Sequence, residues 1–327
     1  MTATMSLGKA LNAGLRQAME RDDKVVLMGE DIGKLGGVFR VTEGLQQAFG
    51  DRRVIDTPLA ESGVVGTAVG LALRGYRPVC EIQFDGFVYP AFDQIVSQVA
   101  KFRYRNQGRV AMPVTIRIPY GGGIGAVEHH SESPEAYFAH TAGLRVVTPS
   151  NAGDGHRMIQ QAIASDDPVI FFEPKRRYWE KGEVDDADPF SGEPLHHARV
   201  VTPGTDVTIA AYGPLVTTAL EAARIGEEEG TSIEVVDLRS LSPVDFETIE
   251  ASVRKTGRLV VTHEAPVFCG LGAEIAARVS ESCFYHLESP VRRVGGFATP
   301  YPPSRLERHF LPDADRILHE VDRCLQA

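Results

Sequence analysis

The sequence predicts an α/β protein of two domains, the first built on a parallel sheet covered by helices on both faces. Three observations predict it. Short apolar runs alternate with segments whose apolar residues recur every three to four positions, the pattern of strands joined by crossover helices. The alternation stops in a polar, Pro- and Gly-rich stretch and then starts again. The 327 residues suffice for roughly two such domains and for burying about three-quarters of the unfolded surface.

The elements follow in order. Ser6 is placed to cap a helix whose apolar positions are Leu7, Ala10, Leu11, Leu15, Ala18 and Met19. Val25–Met28 is an apolar strand ending in Gly29-Glu30-Asp31 and a glycine-rich loop, Gly33 to Arg40. Val54–Asp56 ends a second strand, which Thr57-Pro58 breaks because proline lacks a donor and keeps its predecessor extended. Glu61 then heads a helix with no charge from Ser62 to Leu73. Gly63, Gly66 and Gly70 share one face of it, where another backbone can approach. Strand Arg77–Phe84, a long helix Phe87–Tyr104 and strand Val114–Ile118 come next. The loop Gly121–Gly125 leads to Glu128-His129-His130, and Ser133-Pro134-Glu135 opens a helix. Strand Leu144–Thr148, helix Asn151–Ala164 and strand Val169–Glu173 complete a domain over residues 1–180. Residues 181–203 read as a linker. Residues 204–327 form the smaller α/β domain: strand Val207–Ala211, helix Leu215–Glu228, strand Ile233–Val236, helix Asp245–Lys255, strand Leu259–Thr262, helix Leu271–Ser282, a strand near Val291–Val294 and helix Ala314–Leu325.

Composition excludes several classes. A net charge of −10 with no basic run argues against nucleic acid and anionic membrane surfaces as partners. Cys80, Cys269, Cys283 and Cys324 form no CxxC pair and suit neither a zinc site nor a disulfide framework. The N-terminus lacks the order of a signal peptide, and no run approaches the ~20 apolar residues of a membrane span. The expectation is a cytoplasmic protein.

Three motifs invite chemistry. Gly121-Gly-Gly-Ile-Gly125 follows a strand but is not GxGxxG, so a Rossmann dinucleotide site is not expected. Gly153-Asp154-Gly155 resembles the start of a Mg²⁺-diphosphate motif, which needs a later asparagine as an oxygen ligand. No asparagine follows Asn151, so the triplet reads as a helix-start turn. His129-His130 follows a glycine-rich loop after a parallel strand, the place where α/β sheets put ligands, but has no zinc-ligand spacing. His263-Glu264-Ala265-Pro266 ends a second-domain strand in a comparable way and reads equally as a turn. Glu61 at a helix start is favoured by the dipole alone; its other reading is a carboxyl aimed into a ligand cleft.

Taken together, the residues resemble the β subunits of thiamine-diphosphate-dependent 2-oxoacid dehydrogenases over nearly the whole chain. The matching blocks are Gly36-Gly-Val-Phe-Arg40, Asp56-Thr-Pro-Leu-Ala-Glu-Ser-Gly63, Glu81-Ile-Gln-Phe84, Pro90-Ala-Phe-Asp-Gln-Ile-Val96 and His130-Ser-Glu-Ser-Pro-Glu-Ala136. They continue with Phe171-Phe-Glu-Pro-Lys175, Val236-Asp-Leu-Arg239, Lys255-Thr-Gly-Arg258, His263-Glu-Ala-Pro266 and Gly296-Phe-Ala-Thr-Pro-Tyr-Pro302. Several look more like the branched-chain than the pyruvate enzymes. The resemblance implies a pyrimidine-binding domain followed by a transketolase C-terminal-like domain, and oxidative decarboxylation of branched-chain 2-oxoacids with acyl transfer to a lipoyl group. Pyruvate or acetoin as substrate, or a non-catalytic assembly subunit, are the alternatives. It further implies thiamine diphosphate shared with an α subunit that holds Mg²⁺, an α₂β₂ heterotetramer, and docking of the lipoyl domain of an acyltransferase core. By resemblance Glu61 shares a proton with the pyrimidine ring, and His130 serves the substrate carboxylate or the acyl transfer. Phe87, Leu59 and Gln83 neighbour the ring. Main-chain carbonyls of Met112, Val114, Thr115, Ala162, Ser165 and Asp167 correspond to a K⁺ site.

Overall fold

The computed structural model describes residues 2–185 and 187–327. They form two compact units. One runs to Tyr120 and resumes at Tyr137–Leu195; the other comprises Gly121–Ala136 and His196–Ala327. The segment that bears His129 and His130 therefore belongs with the C-terminal unit, although it lies between two strands of the N-terminal one.

The first unit contains β1 (Thr2–Ser6), α1 (Leu7–Arg21), β2 (Val25–Gly29), α2 (Leu45–Phe49), β3 (Val54–Asp56), α3 (Glu61–Leu73), β4 (Arg77–Glu81), α4 (Phe102–Arg105) and β5 (Thr115–Tyr120). After α5 (Glu135–Ala139) come β6 (Arg145–Val147), α6 (Ala152–Ala164), β7 (Val169–Pro174) and β8 (Lys181–Asp185). Six strands lie in the order β6-β7-β5-β4-β2-β3, every pair parallel. β2, β5 and β7 are buried along their whole length, as the central strands of a sheet covered on both faces must be. The apolar stripe of α1 (Leu7, Leu11, Leu15, Met19) packs with Leu27, Val79, Val169 and Phe171 in one core. α1 and α6 approach closely because glycine stands at the contact: a Cβ on Gly14 would lie 2.7 Å from the His156 carbonyl oxygen.

The second unit contains β9 (Arg199–Thr202), β10 (Val207–Ala211), α7 (Leu215–Glu228), β11 (Ile233–Asp237), β12 (Ser240–Ser242), α8 (Phe246–Thr256), β13 (Leu259–Pro266), α9 (Leu271–Ser282), β14 (Arg292–Gly296), α10 (Glu307–Phe310) and α11 (Ala314–Leu325). Its sheet runs β14-β13-β10-β11-β9, parallel except for the edge strand β9. Asp245 and Asp313 cap α8 and α11 through their carboxylates.

Two expectations need correction. The single helix over 87–104 is instead a 3₁₀ turn Asp85–Ala91, a π-helical turn Gln94–Val99 and the short α4. Pro90 lies inside the first and lacks the N–H that a continuous α-helix requires there. The stretch read as linker holds β8, which pairs antiparallel with β1, and then β9. Among the described residues a Cβ on Gly63 would meet only the Ala60 side chain, one on Gly66 only Gln94, and one on Gly70 nothing within 4 Å, so that face of α3 is open.

Candidate active site

The C-terminal ends of β2, β3 and β4 bring the first unit's chemistry together, at the edge where open parallel sheets place ligands. The turn after β2 is tied down by Asp56 at the end of β3, whose carboxylate accepts the Gly33 amide at 2.6 Å. Thr57 donates its amide to the Gly29 carbonyl at 2.9 Å. Glu61 is the first residue of α3, half-buried, in the first turn where exposed amides favour a carboxylate.

The sequence reading missed Glu30. It is 7% exposed, and among the described residues neither carboxylate oxygen has a hydrogen-bond partner. Burial raises its pKa first, and the neighbouring charges of Glu61 and Asp31 raise it further. A buried, unpaired carboxyl beside Glu61 is costly in isolation and marks a place where another polar group is wanted. The signal in the sequence was an acidic pair directly after a wholly apolar strand.

The other expected residues of the ring site lie on the same unit. Leu59, just before α3, is 84% exposed. The Gln83 side chain donates to Asp31 at 3.4 Å. Phe87 is half-buried, edge-on to Phe84 at 5.8 Å, and Phe84 is edge-on to Phe39 at 5.4 Å. The turn that carries Phe87 is anchored by Asp85, which forms a fully buried ion pair with Lys175 at the end of β7. Behind it, Arg117 on β5 binds Glu173 of β7 through two bonds of 2.6 and 2.9 Å and Glu81 of β4 at 2.5 Å. The Tyr178 hydroxyl donates to Glu173 at 2.5 Å. Burial lifts the Glu81 pKa, helped by Glu173 and opposed by Arg117. These charges sit in otherwise apolar strands and cross-link three of them, β4, β5 and β7.

The residues fit the pyrimidine half of a thiamine-diphosphate site: a helix-start carboxyl, an unpaired buried carboxyl beside it, an exposed leucine and an aromatic ring. They do not fit the diphosphate half. Asp154 is 4% exposed and accepts from the Asn151 side chain at 2.7 Å, while Asn151 caps α6 by accepting the Asp154 amide at 2.9 Å. Gly153-Asp154-Gly155 is thus a helix start, as its sequence context predicts.

The two segments matched to a K⁺ site are adjacent, since Met112 donates its amide to the Asp166 carbonyl at 3.0 Å. Carbonyls of Met112, Val114 and Ala162 each accept one amide, that of Asp167 accepts the Ser165 hydroxyl, and that of Ser165 accepts Arg77 at 3.0 Å. Thr115 is a buried residue of β5. Among the described residues no group of three or more His, Cys, Asp or Glu is arranged to hold a metal ion.

His129 and His130 lie in the second unit, in a 3₁₀ turn Glu128–His130, with ring centroids 4.5 Å apart. His263, by contrast, is wholly buried. Its Nδ1 donates to the Ala265 carbonyl at 2.9 Å, its Nε2 accepts the Gly272 amide at 3.2 Å, and Tyr212 stacks on it at 5.9 Å. Burial pushes its pKa down to about 4, so it is a neutral structural histidine at a strand end.

Comparison with known proteins gives a consistent picture. Residues 3–180 match the family model described as transketolase, pyrimidine binding domain, and residues 196–317 match transketolase, C-terminal domain. A relative from Leifsonia xyli, named pyruvate dehydrogenase E1 component subunit beta, is 64% identical over 98% of this chain and 95% of its own length. A relative from Mycobacterium tuberculosis, named 3-methyl-2-oxobutanoate dehydrogenase subunit beta, is 56% identical over 100% and 93%. One from Pseudomonas aeruginosa, named 2-oxoisovalerate dehydrogenase subunit beta, is 46% identical over 96% and 93%. A solved structure titled split gene transketolase, inactive beta4 tetramer, superposes with a TM-score of 0.80 at 26% identity over 98% of both chains. Among the described residues no helix is long and apolar enough to cross a membrane.

Proposed function

The chain belongs to the transketolase-like β subunits of the 2-oxoacid dehydrogenases, and from that premise we propose that it supplies the pyrimidine-binding half of a decarboxylase for branched-chain 2-oxoacids. The observation that carries the proposal is Glu61 at the head of α3 with the buried, unpaired Glu30 beside it. Thiamine diphosphate, when bound, supplies an electron sink for loss of the substrate carboxylate as CO₂. Glu61 holds a proton for the ring nitrogen of the pyrimidine. Burial first, and then the Glu61 charge beside it, raise the pKa of Glu30, so the pair favours a proton held at Glu30. Phe87 and Leu59 offer apolar surface to the ring, and Gln83 offers an amide. His130 moves a proton during acyl transfer to a lipoyl group.

The chain works with an α subunit in an α₂β₂ assembly, the α subunit holding Mg²⁺ and the diphosphate. Two features support this: Asp154 is committed to its own helix cap, and Gly70 of α3 faces open space where a second chain can approach. A lipoyl domain of an acyltransferase core is the acyl acceptor, and K⁺ occupies the turns at 112–115 and 162–167. The cytoplasm is the proposed location, in keeping with four free cysteines.

Pyruvate is the second reading for the substrate, favoured by the name of the 64% identical relative. Co-expression with an α subunit, followed by decarboxylation assays on 3-methyl-2-oxobutanoate and pyruvate, separates the two. A higher kcat/KM for the branched substrate supports the proposal, and a higher value for pyruvate replaces it. No turnover of any 2-oxoacid by an assembled, cofactor-loaded complex would leave a non-catalytic subunit.

A further inference from the structure

The glycine loop Gly121–Gly125 has the look of a ligand cradle, with positive φ at Gly121, Gly123 and Gly125. Its amides are already occupied, by carboxylates more than 140 residues away in sequence. Gly122 donates to Glu264 Oε1 at 2.5 Å, and Glu264 is 3% exposed. Gly123 donates to Glu307 Oε1 at 2.8 Å, and Gly125 to Glu307 Oε2 at 3.2 Å. The Tyr301 hydroxyl donates to the same Glu307 Oε1 at 2.7 Å, while its ring packs on Phe310 at 5.0 Å. Burial raises the Tyr301 pKa, and the bond to Glu307 raises it further, so the hydroxyl stays a donor. A Cβ on Gly122 would fall on that hydroxyl, so the loop is glycine-rich because the segment from Tyr301 to Glu307 presses on its backbone. At the start of the loop Gly121 donates its amide to the Glu132 carbonyl at 2.8 Å, and beyond the histidine turn Glu135 accepts the Tyr212 hydroxyl at 2.7 Å. The histidine turn Glu128–His130 hangs between these two anchors.

We propose that Glu307, oriented by Tyr301, is a positioning residue for His130: its carboxylate gathers the Gly123 and Gly125 amides and fixes the path of the loop that leads to the histidine turn. Charge-assisted bonds from backbone N–H to carboxylate are the strong kind, and here one side chain makes two while a third donor holds it still. The C-terminal unit thereby sets the approach of the acyl-transfer histidine, a task beyond assembly. The inference rests on the role given to His130 above. Misplacing a reacting group by about 1 Å can cost on the order of 10²-fold in rate, which sets the scale of the expected loss.

The test uses the complete complex with its α subunit and three variants, Glu307→Ala, Tyr301→Phe and His130→Ala, with the double variant of Glu307 and His130. Glu307→Ala is expected to speed amide hydrogen exchange across residues 121–130. It should lower acyl transfer to a lipoyl acceptor about 10- to 100-fold, with decarboxylation read by an artificial electron acceptor far less affected. Tyr301→Phe should fall between it and the unchanged protein. In the His130→Ala background Glu307→Ala should cost nothing further, because both act on one step. Unchanged exchange over 121–130, or a full additional loss in the double variant, overturns the proposal. Should His130→Ala by itself leave lipoyl transfer intact, the role assigned to His130 fails. The effect of Glu307→Ala on exchange then still decides whether Glu307 positions the loop.

Discussion

Glu30→Gln is the substitution whose effect follows most directly from the geometry. Both oxygens of Glu30 are buried without a partner, and Glu61 and Asp31 add repulsion, so its folded pKa lies above the usual carboxyl value. The sign follows from proton linkage. Below the ordinary carboxyl range Glu30 is protonated in both folded and unfolded chains and brings no penalty. As pH rises past that range the unfolded chain ionises first, so stability is lost until the folded carboxyl ionises too. Glutamine cannot ionise, so the stability of the variant relative to the natural chain should rise as pH climbs through and above the ordinary carboxyl range. Each kcal/mol of that difference reads as roughly 2–4 °C in melting temperature in a unit of this size. Thermal melts of both proteins across that pH range measure the difference directly. A difference that shrinks as pH rises would mean that Glu30 has a cationic partner, and one flat with pH would mean that its burial and acidic neighbours do not shift it; either result refutes the reasoning.

Two more outcomes are expected. Lys175→Met or Asp85→Leu alone leaves one charge buried without its partner and should cost about 3–5 kcal/mol, while the double variant recovers most of that loss in melts or denaturant titrations. The isolated chain supplied with Mg²⁺ should bind thiamine diphosphate no tighter than millimolar by calorimetry, because Asp154 is tied to Asn151; micromolar binding would refute it.

What the sequence made legible was local. α7, α9 and α11 were bounded correctly because apolar period and breakers lie within the segment itself. β1 and β8 are not legible because most of their residues are exposed and only pairing across more than a hundred residues makes them strands; β9 has just two apolar residues and is too short to show a period. The break at Pro90 was legible in principle, since proline in a helical pattern interrupts it, but the apolar period on either side outweighed it. At the site, Glu61 was readable from its place at the mouth of a charge-free helix. Glu30 and the Glu81–Arg117–Glu173 cluster were visible only as charges in apolar strands, a pattern that becomes meaningful once the strands are neighbours. The purpose of Gly121–Gly125 could not be read locally at all, because the carboxylates that fill it lie in another part of the chain.

The central claim is that Glu61 shares a proton with the cofactor rather than merely favouring the start of α3. Glu61→Gln preserves size and removes the ionisable proton. In the complex with its α subunit, proton–deuterium exchange at the thiazolium carbon should fall about 10²–10⁴-fold, with melting temperature and assembly nearly unchanged. A carboxylate serving only the helix dipole would instead cost about 0.3–1 kcal/mol of stability. Exchange at the natural rate in the glutamine variant would contradict the account.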